Sequence, residues 1–164
     1  MKIYSTLSSR KEDFISIDQD VSMYVCGITP YDDAHLGHAM SYIIFDVVRR
    51  YLEYKGYTVR HVQNFTDIDD KIINRALENG EDPLALAEKF MERFREEMGL
   101  LNIKPADAYP RATEEIPAII DVIQNLIENG YAYASSGDVY YRVRNFEGYG
   151  KLSKRTLDGM RAGA

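Results

Sequence analysis

The sequence predicts an α/β fold built on a parallel sheet, from three successive segments. A compact apolar run, Met23-Tyr24-Val25-Cys26, stops at Gly27 and has the length of a buried strand. A long amphipathic stretch follows from Leu36 to Lys55, and Tyr57 to Phe65 is β-branched and aromatic enough for a second strand. Strand, helix and strand in that order form a βαβ unit, whose strands run parallel with a right-handed crossover.

Between the first strand and the helix, Ile28 to Ala34 carries Thr, Pro and two Asp, which is loop chemistry. In the helix, Met40, Ile43, Ile44, Val47, Val48, Tyr51 and Leu52 recur at spacings of three and four and form one apolar stripe. Gly56 stops it in the usual post-helix position. After the second strand, Thr66 is expected to cap a helix that ends near Gly80, with Asp69 at its third position. A further amphipathic helix is expected from Asp82 to Leu101, with Leu84, Ala87, Phe90, Met91, Phe94, Met98 and Leu101 on one face. Glu88, Glu92 and Glu96 are expected on its solvated face. Past two loop prolines, Thr113 opens a helix expected to turn Ile116, Ile119, Ile120, Ile123 and Ile127 inward, and Gly130 ends it. Ser135-Ser136-Gly137-Asp138 between two β-rich runs signals a hairpin.

Composition narrows the function classes. With 164 residues the chain has the length of about one domain. The excess of 26 acidic over 20 basic side chains argues against nucleic-acid-binding charge over the whole surface. Locally the balance reverses, since Arg142 to Arg161 holds six basic residues and two acidic ones. That stretch is a candidate contact for nucleic-acid phosphates. A single cysteine allows no internal disulfide, so a reduced, cytoplasmic setting is expected. No run of 18 apolar residues is present, so no membrane partner is expected.

The densest chemistry lies at the first strand–helix junction, Cys26-Gly27-Ile28-Thr29-Pro30-Tyr31-Asp32-Asp33-Ala34-His35-Leu36-Gly37-His38. In parallel sheets, ligands bind at the carboxyl ends of the strands. A helix start also offers free N–H groups and a positive dipole end to phosphate. His35 and His38 are candidate hydrogen-bond donors to phosphate oxygens during phosphoryl or adenylyl transfer. Gly37 lacks a Cβ and leaves room for a planar base to approach the backbone. Cys26, as a lone thiol, has by spacing alone two readings: a buried apolar residue or a metal ligand. The acidic trio Asp67, Asp69 and Asp70 is explained most simply by the dipole of the following helix.

These residues, with Phe45-Asp46-Val47-Val48-Arg49-Arg50-Tyr51-Leu52 and Asn64-Phe65-Thr66-Asp67-Ile68-Asp69-Asp70-Lys71, resemble the cysteinyl-tRNA synthetase family of class I aminoacyl-tRNA synthetases. His35-Leu36-Gly37-His38 is similar to that class's "HIGH" signature, and Pro110-Arg111-Ala112-Thr113 and Gly150-Lys151-Leu152-Ser153 are also similar. The resemblance implies a Rossmann-like parallel sheet of the class I synthetase (HUP) type. Its incomplete N-terminal half would occupy residues 1–81. A helical continuation and the start of a connective insertion with a hairpin would occupy residues 82–164. The implied activity is ATP-dependent formation of cysteinyl-adenylate from L-cysteine, with ATP entering as its Mg complex, and transfer of cysteine to tRNA(Cys).

By the same resemblance, Thr29, His35, Gly37 and His38 match the nucleotide site, and Gly27 and Thr66 match positions lining the cysteine pocket. Cys26 matches the first of four zinc ligands, the others being expected downstream of this chain. Lys151-Leu152-Ser153-Lys154-Arg155 imitates the second class I signature, "KMSKS", but falls by register in the insertion. An N-terminal fragment, inactive alone, is the expectation. Thr29-Pro30-Tyr31-Asp32 before His-Leu-Gly-His-Ala is similar also to the related ligase that joins cysteine to an amino-sugar inositol. A truncated paralogue that binds ATP or a partner without catalysis is the third reading.

Overall fold

The computed structural model describes residues 1–16 and 18–159, so Arg161 and the expected end of the basic stretch lie outside the described residues. The chain divides into two compact units, one of Ser16–Ile116 and one of Met1–Ile15 with the residues from Pro117 onward.

The first unit carries the predicted βαβ motif. Strand β3 (Asp20–Ile28) pairs in parallel with β4 (Thr58–Phe65), and helix α1 (Leu36–Tyr54) connects them. The pairing begins with Asp20 opposite Thr58 and shifts register between Val25 and Ile28, which places a bulge at Cys26-Gly27. On the far side of β4, residues 107–111 run alongside as a third, irregular parallel segment. Gln63 N donates to Ala108 O at 3.0 Å, Phe65 N to Pro110 O at 2.9 Å, and Asp107 N to His61 O at 2.8 Å. The free edge of β3 has no strand partner among the described residues.

Helix α2 (Asp70–Asn79) is capped by Asp69, whose carboxylate accepts from Lys71 N at 2.9 Å. The expected cap, Thr66, lies instead in the loop that leaves β4, because the chain has no regular structure from Thr66 to Asp69, and Asp69, in extended backbone, takes the cap. Asp82 caps α3 (Pro83–Leu100) through Ala85 N at 2.9 Å, with Pro83 in the first turn. Ile72 and Ala76 of α2 share a buried cluster with Leu86 and Ala87 of α3, so the expected boundary after residue 81 falls inside this unit. The main core joins Val25, Ile28, Tyr42, Phe65, Met91, Phe94 and Met98. Glu88, expected in solvent, instead takes Arg111 in a two-pronged ion pair at 2.6 and 3.1 Å.

Helix α1 buries a different face from its apolar one. Tyr42, Arg49 and Leu52 are buried, whereas Met40, Ile44 and Val47 are 64%, 54% and 59% exposed. Arg49 reaches Asp107 at 3.1 Å, Glu53 at 3.1 Å and the Pro105 carbonyl at 2.7 Å. Arg50 holds Asp46 at 2.6 Å, and Asp46 in turn accepts from Lys104 N at 3.0 Å.

The second unit consists of an N-terminal hairpin, β1 (Lys2–Ser5) with β2 (Arg10–Asp13), helix α4 and a second hairpin. A single 3-10 turn at Ala112–Glu115 precedes α4 (Ile116–Glu128), so the helix starts three residues later than Thr113. Its isoleucines do not turn inward as expected: Ile116, Ile119, Ile120 and Ile127 are 38–48% exposed and α4 has no buried residue. Strands β5 (Ala132–Ser135) and β6 (Asp138–Tyr141) form the predicted hairpin, with Ser136 and Gly137 both at positive φ in a tight two-residue turn. Among the described residues no helix is long and apolar enough to cross a membrane.

Candidate functional site

At the carboxyl ends of β3 and β4, Thr66 N donates to Ile28 O at 3.0 Å and closes the sheet. Cys26, Gly27 and Thr66 therefore meet there, where sequence reasoning expects the ligand. The Cys26 thiol is free and the residue exposed, while its carbonyl accepts from the buried Tyr42 hydroxyl at 3.1 Å. Burial pushes the Tyr42 phenol up to about 12, so it stays a donor at any physiological pH.

Gly27 is required by the sheet as well as by any ligand. A Cβ built on it lies 1.4 Å from the carbonyl oxygen of Asn64, so no side chain fits without opening the bulge. Asn64 itself was not singled out from the sequence. Its Oδ1 accepts from Gly27 N and from the Tyr24 hydroxyl, each at 2.8 Å, and its Nδ2 donates to Thr66 Oγ1 at 3.2 Å. A lone Asn at the end of an apolar run carries no pattern signal; the only cue is its place in the Asn-Phe-Thr-Asp block.

The histidine pair sits on the first turn of α1. His35 is the N-cap: its Nδ1 accepts from Gly37 N at 3.1 Å and His38 N at 3.3 Å. His38 answers by accepting from His35 N at 3.2 Å through its own Nδ1. The result is a capping box made of two imidazoles. Their rings stack with centroids 3.8 Å apart and planes 11° from parallel. A backbone N–H only donates, so each Nδ1 must present a lone pair and each ring proton resides on Nε2. Partial burial, and then the neighbouring His35, hold the His38 imidazole below the usual histidine range. The pair thus offers two Nε2–H donors at a helix N-terminus.

Gly37 also serves the cap. The His35 ring itself lies against it, with Cε1 and Nδ1 both 3.0 Å from where a Cβ would stand. Removing the Cβ therefore makes room for the capping ring. Thr29 is half-buried in the loop, its carbonyl accepting from Tyr31 N at 3.0 Å. That loop is tethered by Asp32 to Arg75 of α2 at 2.6 Å and by Asp33 to Arg93 of α3 at 3.0 Å. Beside the helix start, a cavity of ≈ 320 Å3 is lined by Ala34, His35, Leu36, Ala39, Glu97, Met98, Leu100 and Leu101.

The acidic trio does not converge. Asp67 is buried and accepts from Thr113 N at 3.0 Å and Thr113 Oγ1 at 2.6 Å, while Asp69 caps α2. Among the described residues no group of three His, Cys, Asp or Glu side chains is placed to hold a metal. Cys26 thus fits one coordination position of a zinc site, and these residues do not close a tetrahedral one. Lys151 to Arg155 lies in the second unit, in a loop where Arg155 N donates to Gly150 O at 3.1 Å and Lys154 Nζ bonds to the Leu7 carbonyl.

The same fold is found in solved synthetases. The Mycobacterium tuberculosis methionyl-tRNA synthetase, in complex with methionyl-adenylate, matches 69% of this chain and 23% of its own (TM-score 0.62, 26% identity). The Agrobacterium radiobacter K84 LeuRS, in a ternary LeuRS-tRNA-LeuAMS complex, matches 74% of this chain and 16% of its own (TM-score 0.62, 19% identity). The chain belongs to the family described as tRNA synthetases class I (C) catalytic domain, which matches residues 14–164. Proteins named cysteine–tRNA ligase from Dehalococcoides mccartyi (strain BAV1) and Thermococcus kodakarensis are each 59% identical across 100% of this chain. The chain spans 36% and 35% of their lengths.

Proposed function

We propose that this chain is the part of a cytoplasmic cysteine–tRNA ligase that binds L-cysteine and ATP. In this reading residues 1–81 are the first half of the nucleotide-binding domain, and residues 82–164 continue it and begin the connective insertion. One observation carries the reading: the stacked His35–His38 pair, with both Nδ1 atoms consumed by the helix cap, leaves two Nε2–H donors at the N-terminus of the helix that follows Cys26-Gly27. The adenylate in the methionyl-tRNA synthetase relative supports the same chemistry.

The cysteine carboxylate forms a bond to the α-phosphorus of MgATP as the bond to the pyrophosphate oxygen breaks. Charge grows on the phosphate oxygens, and fixed N–H donors stabilise it most at that point. Thr29 and Gly37 belong to the same nucleotide surface, and Gly27 and Thr66 to the amino-acid pocket. Cysteine then passes from the adenylate to the 3′-terminal ribose of tRNA(Cys). Cys26 would supply one ligand to a zinc ion, which when bound would give a soft acceptor for the substrate thiolate.

The test is cysteine-dependent pyrophosphate exchange by the full-length protein. His35→Asn and His38→Asn are expected to lower kcat about 10²–10³-fold with the fold intact, as for other removed transition-state donors. The 164-residue chain alone is expected to show no exchange, because the chemistry needs both walls of the cleft. Exchange with no preference for cysteine, or cysteine transfer to glucosaminyl-inositol and not to tRNA, overturns the reading.

A further inference from the structure

We propose that Asn64 is a positioning residue that fixes the Thr66 hydroxyl as a hydrogen-bond donor toward the bound ligand. The inference rests on the reading that an amino acid occupies this pocket, and it goes further by assigning the pocket's hydrogen-bond polarity. The chain of constraint starts at a group whose role is not adjustable. Gly27 N–H can only donate, and it points at Asn64 Oδ1 from 2.8 Å. The amide is therefore oriented with its oxygen toward the bulge, and the Tyr24 hydroxyl donates to the same oxygen at 2.8 Å. Flipping the amide would set two donors against Gly27 N–H.

With Oδ1 so committed, Nδ2 faces Thr66 Oγ1 at 3.2 Å, and an amide nitrogen only donates. Thr66 must accept there, so its own proton has to leave in another direction. No acceptor for it is found among the described residues. A half-buried hydroxyl whose lone pair is taken and whose proton is unclaimed is poised to donate to a ligand. The ligand atom it suits is a hydrogen-bond acceptor. The same residue seats Cys26-Gly27, since the Asn64 carbonyl fills the space a Gly27 Cβ would need. One residue thus couples the bulge that presents Cys26 to the hydroxyl across the pocket.

Two measurements on the full-length protein test this. In spectra of protein labelled with 15N-asparagine, Thr66→Val is expected to shift the Asn64 side-chain amide resonances, identified by their loss in Asn64→Asp. In titrations with L-cysteine, Thr66→Val is expected to weaken binding about tenfold, the loss of one hydrogen bond. In Asn64→Asp the carboxylate accepts from Gly27 N–H and from Thr66 itself, turning the hydroxyl inward. Adding Thr66→Val to Asn64→Asp is then expected to change the Kd less than twofold. Amide resonances unmoved by Thr66→Val, or a full tenfold loss when Thr66→Val is added to Asn64→Asp, would overturn the proposal. Absence of L-cysteine binding by the unaltered protein would instead sink the cysteine reading, with the spectra still deciding the hydroxyl's direction.

Discussion

The two faces of α1 reverse the usual assignment of apolar to inside and polar to outside. The inner face presents Arg49, 8% exposed, to Asp107, Glu53 and the Pro105 carbonyl, and sends the Tyr42 hydroxyl to the Cys26 carbonyl. The outer face presents Met40, Ile43, Ile44, Val47 and Tyr51, all exposed. The difference shows that the helix is held from its inner side, by the Arg49 bonds to Pro105 and Asp107 together with the buried Tyr42 and Leu52. The largest effect is therefore expected on the inner face. Arg49→Ala removes a buried guanidinium and its bonds to the Pro105 carbonyl, Asp107 and Glu53, whose carboxylates keep His61 N–H and Lys104, and is expected to cost about 1.5–3 kcal/mol in urea unfolding. A loss no larger than that of an outer-face change would break the comparison.

Tyr42→Phe keeps the ring edge against Phe94, 5.2 Å away between centroids, and removes only the bond to the Cys26 carbonyl. A loss of about 1 kcal/mol is expected. In the full-length protein a rise in KM for cysteine should accompany it, since the Cys26 peptide loses one of its anchors.

Much of this was legible beforehand, for physical reasons that differ by residue. The extent of α1 was written in the chain, because Gly56 at φ +89° can follow a helix where a residue with a Cβ is strained. Which face it would bury was not, since periodicity reports that a stripe exists and not what meets it. Asp69 in place of Thr66 as the α2 cap turns on where a short loop ends, which no propensity distinguishes between two good capping residues. The β1–β2 hairpin escaped notice because Arg10-Lys11-Glu12-Asp13 has no apolar alternation. At the site, His35, Gly37 and His38 were visible as a cluster, but the double imidazole cap depends on backbone geometry. Asn64 acts through three partners up to 40 positions away in sequence, and long-range pairing leaves no local trace.

His61 sharpens the comparison through pH. The residue is buried, its backbone N–H donates to Asp107 at 2.6 Å, and neither ring nitrogen has a protein partner. Burial first, and then the Arg49 charge, lower its pKa, against smaller opposing effects of Asp107 and Asp46. The unfolded chain therefore binds the proton more readily than the folded one. Stability is expected to be full above the unfolded histidine value of about 6.5 and to fall as pH drops through it toward the lower folded value. His61→Leu should flatten the slope of urea midpoints between about pH 7.5 and 5.5, the range that brackets the histidine titration. Asp107 and Glu53, whose carboxyls are held low by the His61 backbone N–H and by Lys104 respectively, act only at more acidic pH. A slope unchanged in His61→Leu would place the titration elsewhere.

The smallest effect is expected on the outer face. Ile44→Asp and Val47→Asp each put a charge where the side chain is already more than half exposed, with little burial to lose. Both sit mid-helix, so neither disturbs the cap at His35 nor the end at Lys55. Urea midpoints of the chain should move by no more than the equivalent of about 0.5 kcal/mol. Exposed apolar area of this extent favours association, so the same substitutions should reduce sedimentation of oligomers at high concentration. A large destabilisation, matching that of Arg49→Ala, would mean that the apolar stripe is already buried in solution and that the two faces are equivalent.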